Sequence, residues 1–430
     1  MPLAELSLGA LVLAILVSCI SEVNVGFLAI ALAWIVGIYL GGMTLGQLVA
    51  GFPVQLFLTL VGVTLLFSQA NVNGTLERVA HRAVGVCRGN AGVIGVMFFF
   101  LPLALASIGP GNIASAALMA PIAMGVAAQV GIPAFLMAIM VGNGANAGSL
   151  SPIAPTGIIV NEIMAKSGLT GYATENYLNN LIAHATVAFA GYFLFGGWRL
   201  FSRGATREPV PASVGAAAAC PPTGANRQPF EQKHWITIAA IGTVIGSVIA
   251  FDANVGMAAF AAAVVLTLVK AADEKKAVQH MPWRVIMMVT GVTVLIALLE
   301  KTGGMALFTT MLARTSTPNT VTGMTAFFTG LISIYSSTSG VVLPAFLPTV
   351  PGLVEKLGGG DALAIASSMN VGGHLVDVSP LSTIGALCLA CAPANEDARA
   401  LFNKLMAWGL SMAVVGAVIC WFFFGWLRIP

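Results

Sequence analysis

One stretch of this sequence places residue types that bind ions and small polar solutes inside an otherwise apolar run. Residues 142–157, GNGANAGSLSPIAPTG, contain four glycines, two prolines, two asparagines, two serines and a threonine. Lipid cannot hydrogen-bond an opened backbone, so such a break persists only where protein or a water-filled cavity surrounds it. Freed carbonyls with hydroxyl and amide side chains suit a hard cation such as Na+, and exposed helix N-termini suit an anion.

The same pattern recurs in the second half of the chain. Ser151–Gly157 reads SPIAPTG, and Ser379–Gly385 reads SPLSTIG, 228 positions later (379 − 151 = 228). A further landmark, Pro121 with Pro348, recurs in the same order at nearly the same offset. Broken helices at corresponding places in two halves are typical of secondary transporters whose binding site lies between them. We therefore predict a transport site between the two breaks.

Few ionisable groups lie within the apolar runs, and each is costly enough there to be a functional candidate. His374 and Asp377 stand three residues apart before the second break, where a helix would give them a common face. Such a pair could bind a cation or pass a proton, or it could cap a broken helix end. His184 is alone in its span and is more typical of a satisfied packing residue. Glu162 fits a cavity-facing position and the outer interface equally well.

Composition excludes a soluble globular protein. Of the 430 residues, 58% are hydrophobic and 8% are charged, whereas a soluble chain has about a quarter charged. Apolar runs of span length, about 20 residues each, recur throughout. No basic patch is interleaved with aromatic residues, so nucleic acid is not an expected partner. We predict an all-α polytopic membrane protein.

The apolar runs fall into two halves of the same order. Each half has three spans, a short arm, a re-entrant hairpin, a broken helix and a last span. A Pro-Gly pair turns the first hairpin, with its tip near Gly111. The predicted units are a first inverted repeat at 1–200 with hairpin 90–128 and broken helix 133–165, a cytoplasmic linker at 201–234, and a second repeat at 235–430 with hairpin 318–357 and broken helix 361–391.

Charge placement predicts the orientation of these repeats. Five crossings per half, an odd number, invert the second half relative to the first. With the linker in the cytoplasm, 14 of the Lys and Arg residues lie on the cytoplasmic side and 5 on the other. This distribution obeys the positive-inside rule and the opposite orientation violates it. We expect a multi-pass protein of a bacterial-type inner membrane with both termini outside.

Residues 144–161, GANAGSLSPIAPTGIIVN, resemble the malonate/dicarboxylate carriers of the MatC type, and the likeness extends through most of the chain. That family is related to the divalent anion:sodium symporters, whose hairpin tips carry Ser-Asn-Thr followed by a Pro nine residues after the Asn. Asn112 and Pro121 keep this spacing, but Gly111 and Ile113 replace the Ser and Thr. The resemblance implies a homodimer in which the hairpins and broken helices, 90–165 and 318–391, move as an elevator against a scaffold.

The resemblance also implies that Asn112 contacts sodium and carboxylate and that Ser107 is a further sodium ligand. Together with the breaks, it leads to three sets of candidate residues. The candidate substrate-binding residues are Asn112, Ser149, Ser151, Thr156, Thr338, Ser339, Ser379, Ser382 and Thr383. The candidate cation-binding residues are Ser107, Gly111, Asn112, Gly148 and Asp377. The candidate coupling or gating residues are His374 and Asp377. No cofactor is expected beyond a coupling ion.

The function predicted from these features is cation-coupled symport of a small dicarboxylate such as malonate or a C4 acid. No Lys or Arg lies at either break, so a co-bound cation would have to balance the anion. His374 and Asp377 favour H+, whereas the resemblance and Asn112 favour Na+, which we prefer. A second hypothesis is the membrane subunit of a binding-protein-dependent carrier of the TRAP type. A hypothesis of another class is an intramembrane enzyme using His374 and Asp377, although no nucleophile or metal-ligand set accompanies them.

Overall fold

The chain folds entirely into helices and turns over the part that the computed structural model describes. No strand occurs in that part, because helices satisfy their own backbone groups where lipid cannot. The predicted all-α polytopic fold is thus confirmed. The described residues are 3–21, 23–86, 90–202, 229–251, 253–393 and 396–427. Most of the predicted linker 201–234 lies outside them.

The first half begins with spans joined by short helices and ends with a hairpin, an interrupted helix and a long helix. A π-helical segment, Ile35–Leu40, extends the second helix, and a 3-10 turn, Gly197–Leu200, follows the tenth. The helices are α1 (Leu3–Ile20), α2 (Val25–Trp34), α3 (Leu45–Val49), α4 (Val54–Val72), α5 (Thr75–Val86), α6 (Ala91–Ile108), α7 (Gly111–Val130), α8 (Ala134–Ala147), α9 (Pro155–Lys166) and α10 (Ala173–Leu194).

The second half repeats this order with small variations. The second arm of its hairpin is divided into a π-helical turn (Thr338–Val342), α17 (Leu343–Phe346), a 3-10 turn (Leu347–Thr349) and α18 (Val350–Leu357). The other helices are α11 (Gln232–Phe251), α12 (Val255–Leu268), α13 (Glu274–His280), α14 (Trp283–Thr302), α15 (Gly304–Arg314), α16 (Val321–Ser333), α19 (Ala362–Leu375), α20 (Thr383–Ala390) and α21 (Ala398–Cys420), with 3-10 residues Val376–Val378 after α19 and π-helical residues Trp421–Trp426 after α21.

Eight helical segments among the described residues are long and apolar enough to cross a membrane. They include α6 and α7, the two arms of the first hairpin, with 18 and 20 residues. At about 1.5 Å rise per residue, each arm reaches about 27–30 Å, the thickness of a hydrocarbon core. Length alone therefore does not make this hairpin re-entrant, and re-entry stays a prediction. A hairpin adds zero or two crossings, so the odd number per half is unaffected.

The early helices of the two halves pack against each other crosswise, α2 on α14 and α4 on α12. We call helices α1–α5 and α11–α15 the scaffold set. Glycines allow backbone contact at both crossings: a Cβ at Gly26 would collide with the carbonyl oxygen of Met287, and one at Gly62 with that of Gly256. The two crossings are equivalent when the halves are exchanged, since Gly256 follows Gly26 by 230 positions (256 − 26 = 230). Such reciprocal contacts are expected of two units related by a two-fold axis.

The remaining helices, α6–α10 and α16–α21, form the central set. In each half the interrupted helix packs against the first arm of the hairpin, α8 on α6 and α19 on α16. A Cβ at Gly144 would strike the carbonyl oxygen of Phe99, and a Cβ at Gly372 that of Ala326. Gly144 and Gly372 are again 228 positions apart (372 − 144 = 228). Small residues thus bring the two breaks close to the hairpins, as is usual where helices pack in membranes.

Candidate functional site

The first break separates α8, which ends at Ala147, from α9, which begins at Pro155. Prolines interrupt the helix because they lack an N–H group and clash with the preceding turn. The opened backbone is paired internally: Ser149 Oγ donates to the carbonyl oxygen of Asn146 at 2.7 Å, and Gly157 N–H donates to Ser149 O at 3.1 Å. Only glycine fits at 157, where a Cβ would collide with the carbonyl oxygen of Ser151.

The second break is built in the same way. Helix α19 ends at Leu375, a 3-10 turn follows, and α20 begins at Thr383. Ser379 is fully buried, its N–H donates to Val376 O at 2.9 Å, and its Oγ accepts from Leu381 N–H at 3.3 Å. A Cβ at Gly385 would collide with the carbonyl oxygen of Ser379, which repeats the contact of Gly157 with Ser151. Both interruptions therefore close on a buried Ser through a glycine six residues later.

The two breaks meet in the interior of the protein. Asn146 Nδ2 donates to the carbonyl oxygen of His374 at 3.2 Å, and these residues are themselves 228 positions apart (374 − 146 = 228). A residue that contacts its own counterpart in the other half lies near the axis that relates the halves. Asn146 and His374 are buried, with exposures of 0% and 1%. The two interrupted helices are therefore in direct contact at buried residues.

Each hairpin reaches the broken helix of its own half through side-chain hydrogen bonds. Asn112, in the first turn of α7, donates from Nδ2 to Asn146 Oδ1 at 2.8 Å. Thr338, at the start of the second arm, donates to Asp377 Oδ1 at 2.9 Å and also shares a hydrogen bond with Ser333. The structure therefore brings the predicted tip residues Asn112 and Thr338 to the predicted breaks.

Asp377 is a buried carboxylate, with 7% of its surface exposed. Its Oδ1 accepts from Thr338 and, at 3.3 Å, from Ser382 Oγ. No Lys, Arg or His pairs with it among the described residues. Because an isolated buried charge is very costly, this carboxylate needs a proton or a bound cation. The predicted pairing with His374 does not occur, since the His374 ring donates from Nδ1 to Asn370 O at 2.8 Å.

The predicted cation site of the first half is assembled around Ser107. Its Oγ donates to Leu103 O at 2.7 Å and shares a hydrogen bond with Tyr177 Oη at 2.8 Å, while its carbonyl oxygen accepts from Ser151 Oγ at 2.7 Å. Gly148 packs directly against Ser107, since a Cβ there would lie 2.9 Å from its Oγ. Ser107, Gly148 and Ser151 are therefore together, each already engaged with a neighbour.

The other predicted residues differ in how far they are exposed to solvent. Thr156 is buried, with 5% of its surface exposed, and its hydroxyl has no hydrogen bond within the described residues. Gly111 adopts φ 83° at the hairpin turn and faces Pro155, since a Cβ at Gly111 would lie 3.2 Å from Pro155 Cδ. Ser339 is half-buried, and Thr383, the first residue of α20, is exposed. Thr383 therefore lies at the edge of the buried site.

Glu162 has a charged partner for its carboxylate, whereas His184 has a hydrogen-bond partner for one ring nitrogen only. Glu162 is half-buried and lies 3.8 Å from Lys166 Nζ, an ion pair within α9. His184 is fully buried, and its Nδ1 is 3.0 Å from Asn143 Oδ1, but its Nε2 has no partner in the described part of the chain. The prediction that His184 is a packing residue with all its hydrogen bonds satisfied is therefore wrong for Nε2.

Sequence reasoning missed a polar face on α10. Asn176, Asn180 and His184 recur every four residues and are buried, with exposures of 1%, 0% and 0%. Asn180 Nδ2 donates to Asn146 O at 2.8 Å, and Asn176 Oδ1 accepts from Asn370 Nδ2 at 2.8 Å. Asparagines at helical spacing inside a span were the signal that could have identified this face.

The N-terminal part of the chain matches one known protein family. A family model described as the N-terminus of the dicarboxylate carrier protein MatC matches residues 1–149. The resemblance to the MatC-type carriers is confirmed. The matched region includes the first hairpin and α8 with Asn146, which form the first half of the candidate site. No curated protein matches the chain in sequence.

Two solved structures have a fold similar to that of this chain. The YdaH transporter of Alcanivorax borkumensis has a TM-score of 0.57 and 16% identity, with 91% of this chain and 90% of that chain covered. MtrF of Neisseria gonorrhoeae, described with a class of antimetabolite efflux pumps, has a TM-score of 0.58 and 12% identity, with 91% and 84% covered. Identities this low establish the fold only. One of these proteins is described as a transporter and the other with efflux pumps, and this chain has the fold of a multi-pass membrane protein.

Proposed function

We propose that this protein is a cation-coupled symporter of a small dicarboxylate such as malonate or a C4 acid, with Na+ as the preferred coupling ion. The single observation that carries the proposal is the buried Asp377 carboxylate, which has no cationic partner among the described residues. A carboxylate in that position is neutralised by a proton or a metal ion that arrives from solution. Its affinity for a cation is then the source of coupling.

The breaks supply groups for the anion as well as for the cation. Helices α9 and α20 both begin at the breaks, and helix N-termini present unpaired N–H groups with a positive dipole end. No Lys or Arg accompanies them at the breaks, so a dicarboxylate would bind through backbone N–H and hydroxyl groups such as that of Thr156. A co-bound cation would offset the remaining negative charge. The choice of a dicarboxylate comes from the family that residues 1–149 match.

Oxygen donors favour Na+ over H+ at the site itself. Around the first break these are the hydroxyl oxygens of Ser107 and Ser151 and the carbonyl oxygen of Ser107. Alkali and alkaline-earth cations prefer oxygen ligands of this kind. A proton would need a basic group, and the oxygen donors around Ser107 and Ser151 include none.

An elevator movement of the central set against the scaffold set is the mechanism we propose. The boundary between them near the first break is an apolar crevice, lined by Leu66 and Phe67 of α4, Ala259 of α12, and Ile108 and Ile153 beside the breaks. Apolar surfaces are non-directional and slide with little loss of specific bonding. A homodimer held through the scaffold, an inner-membrane location and outside termini complete the proposal, the last from the positive-inside distribution.

Uptake into proteoliposomes by the purified chain alone tests this proposal. We expect a panel of mono- and dicarboxylates to show accumulation of one or more dicarboxylates under an inward Na+ gradient, and less under an H+ gradient of equal size. Absence of carboxylate uptake under either gradient would refute the function. Uptake that appears only when a substrate-binding protein is added would instead identify the membrane subunit of a TRAP-like carrier.

A further inference from the structure

Two Asn-x-x-x-His pairs lie side by side in the interior, on helices that pack against each other. Asn180 and His184 belong to α10, and Asn370 and His374 belong to α19. Residues four apart share one face of a helix. All four side chains are buried, with exposures of 0%, 0%, 0% and 1%. Asn146 joins the two pairs, because its carbonyl oxygen accepts from Asn180 Nδ2 at 2.8 Å and its Nδ2 donates to the carbonyl oxygen of His374 at 3.2 Å.

Hydrogen bonding defines the tautomer of both rings. His374 Nδ1 faces the carbonyl oxygen of Asn370 at 2.8 Å, so that nitrogen carries the hydrogen. His184 Nδ1 faces Asn143 Oδ1, and Asn143 uses its amide nitrogen to donate to Ile139 O at 3.0 Å. His184 Nδ1 is therefore also the donor. In the neutral rings both Nε2 atoms are lone-pair acceptors.

The acceptor atoms of the two Asn-x-x-x-His pairs have no hydrogen-bond donor among the described residues. His184 Nε2, His374 Nε2, Asn180 Oδ1 and Asn370 Oδ1 are all buried without a hydrogen-bond partner among the described residues. Asn176 Nδ2, whose partner amide is Asn370, is a buried donor in the same condition. A cluster of unsatisfied buried polar atoms needs a specific explanation, such as a bound species. The four unpaired acceptors call for a species that brings hydrogen or positive charge.

Packing alone does not require these polar residues. Helix α21 ends the second half as α10 ends the first, and its buried face is apolar, with Leu401, Leu405, Trp408 and Met412. The two halves use matching glycines at their breaks and crossings. The polar face of α10 is thus a departure from internal symmetry, on the side where it meets His374.

We propose that the two Asn-x-x-x-His pairs form one proton-binding site, separate from Asp377. A proton from water on one side of the membrane bonds to the Nε2 lone pair of His184 or His374, and the Nδ1–H bonds stay as they are. The new Nε2–H then has Asn180 Oδ1, Asn370 Oδ1 or the other ring as acceptor. The proton returns to water on the opposite side with no other bond made or broken. Imidazole nitrogens are weak ligands for alkali cations, so H+ fits this site better than Na+.

The helices that pack against α10 and α19 carry other titratable groups, but we do not assign proton binding at this site to them. The groups on α10, α19 and the described elements in contact with them are Glu162, Lys166, Glu175, Tyr177, Tyr192, Arg199, Glu355, Lys356, Asp377, Arg399, Lys404 and Cys420. Among the described residues, no group of this set forms a hydrogen bond or ion pair with either imidazole ring. Asp377 is engaged with Thr338 and Ser382.

The proposal rests on cation-coupled transport, and its test measures protons directly. His184→Asn and His374→Asn keep an amide N–H in the place of Nδ1 and remove the Nε2 base. We expect both variants to lose substrate-driven proton entry into dye-loaded proteoliposomes, with the double variant no worse than either single one. His280→Asn is the control, because His280 makes the same Nδ1 bond to a carbonyl four residues earlier on an exposed helix. Unchanged proton entry per substrate in both single variants overturns the proposal.

A second measurement is independent of substrate. The ¹⁵N spectrum of histidine-labelled protein reports the protonation of each ring, and the Asn variants assign the signals of His184 and His374. We expect one Nε2 signal of the pair to change from unprotonated to protonated as pH falls, with a midpoint moved by replacing the other ring. If both Nε2 atoms stay unprotonated throughout, no proton site exists there. If the wild type titrates but transports no carboxylate, the proposed function fails and the proton site stands.

Discussion

Asn146 is the residue on which the two halves of the site depend, and its replacement by Ala gives a quantitative prediction. Its side chain accepts from Asn112 Nδ2 at 2.8 Å and donates to His374 O at 3.2 Å, with all three residues buried. Removing the amide leaves one donor and one acceptor unsatisfied, each at a cost of about 1–3 kcal/mol. The sum is about 2–6 kcal/mol, and each 1.4 kcal/mol is about tenfold in an equilibrium constant.

We therefore expect Asn146→Ala to reduce carboxylate uptake per molecule of inserted protein by at least about thirtyfold, the lower limit of that range. Asn146→Asp should fall between the Ala variant and the wild type, because it keeps the acceptor for Asn112 and loses the donor to His374. Uptake would be measured at sub-saturating substrate in proteoliposomes, with thermal unfolding of the same preparation in detergent.

Asn254→Ala is the matched control for this variant. Asn254 is exposed, and its side chain accepts one helix-capping bond from Met257 N–H at 3.1 Å. Loss of such a cap costs about 1 kcal/mol of stability, and uptake should not change. Wild-type uptake by Asn146→Ala, together with an unchanged unfolding temperature, would refute the role given to the contact between the breaks.

Three further predictions address coupling, movement and the geometry of the first break. Asp377→Asn should reduce cation-driven uptake about tenfold or more, since losing 1.4 kcal/mol of cation binding already has that effect. A cysteine pair replacing Ser18 and Ser336, whose Oγ atoms are 2.7 Å apart across the boundary of the scaffold and central sets, should stop uptake when oxidised and restore it when reduced. Gly157→Ala should cost about 1–3 kcal/mol of overpacking and weaken substrate binding, as read from the uptake concentration curve.

Each of these has its own control. Asp361→Asn changes an exposed carboxylate that caps α19 through Ala364 N–H, and Asn caps as well, so uptake should persist. A cysteine pair at Ser7 and Thr302, also 2.7 Å apart but within the scaffold set, should cross-link without effect. A Cβ added at Gly242 has no atom within 4 Å, so Gly242→Ala should leave substrate binding unchanged. Equal inhibition by both cross-links would contradict the sliding boundary.

Much of the helical architecture was accessible from the sequence because lipid imposes simple rules. Spans must be long and apolar, and the interruptions must carry Pro and Gly, so α1 and both breaks lie where the hydropathy pattern and the Ser-Pro motifs place them. The short helices α3 and α13 were not predicted, since five and seven residues give too little periodicity to recognise.

The candidate site was predicted less completely than the helices. Gly148 and Ser151 were selected from the first break itself, whereas Ser107 and Asn112 were selected through the resemblance to the MatC-type carriers. Asn146 lies within the sequence of the first break but could be given no role there, because its importance comes from three partners on three different helices. A hydrogen bond between residues 228 positions apart leaves no local signal.

By itself, the sequence determined that this chain is a helical membrane protein with two interrupted helices at corresponding positions. Hydrophobicity and helix breaks are local properties of the sequence, and the bilayer constrains both directly. Only the tertiary structure decided that Asn146 touches its own counterpart, that His374 turns away from Asp377, and that α10 brings His184 beside it. These facts depend on which faces of distant helices pack together. Side-chain packing across the whole chain, rather than any one stretch, sets that choice.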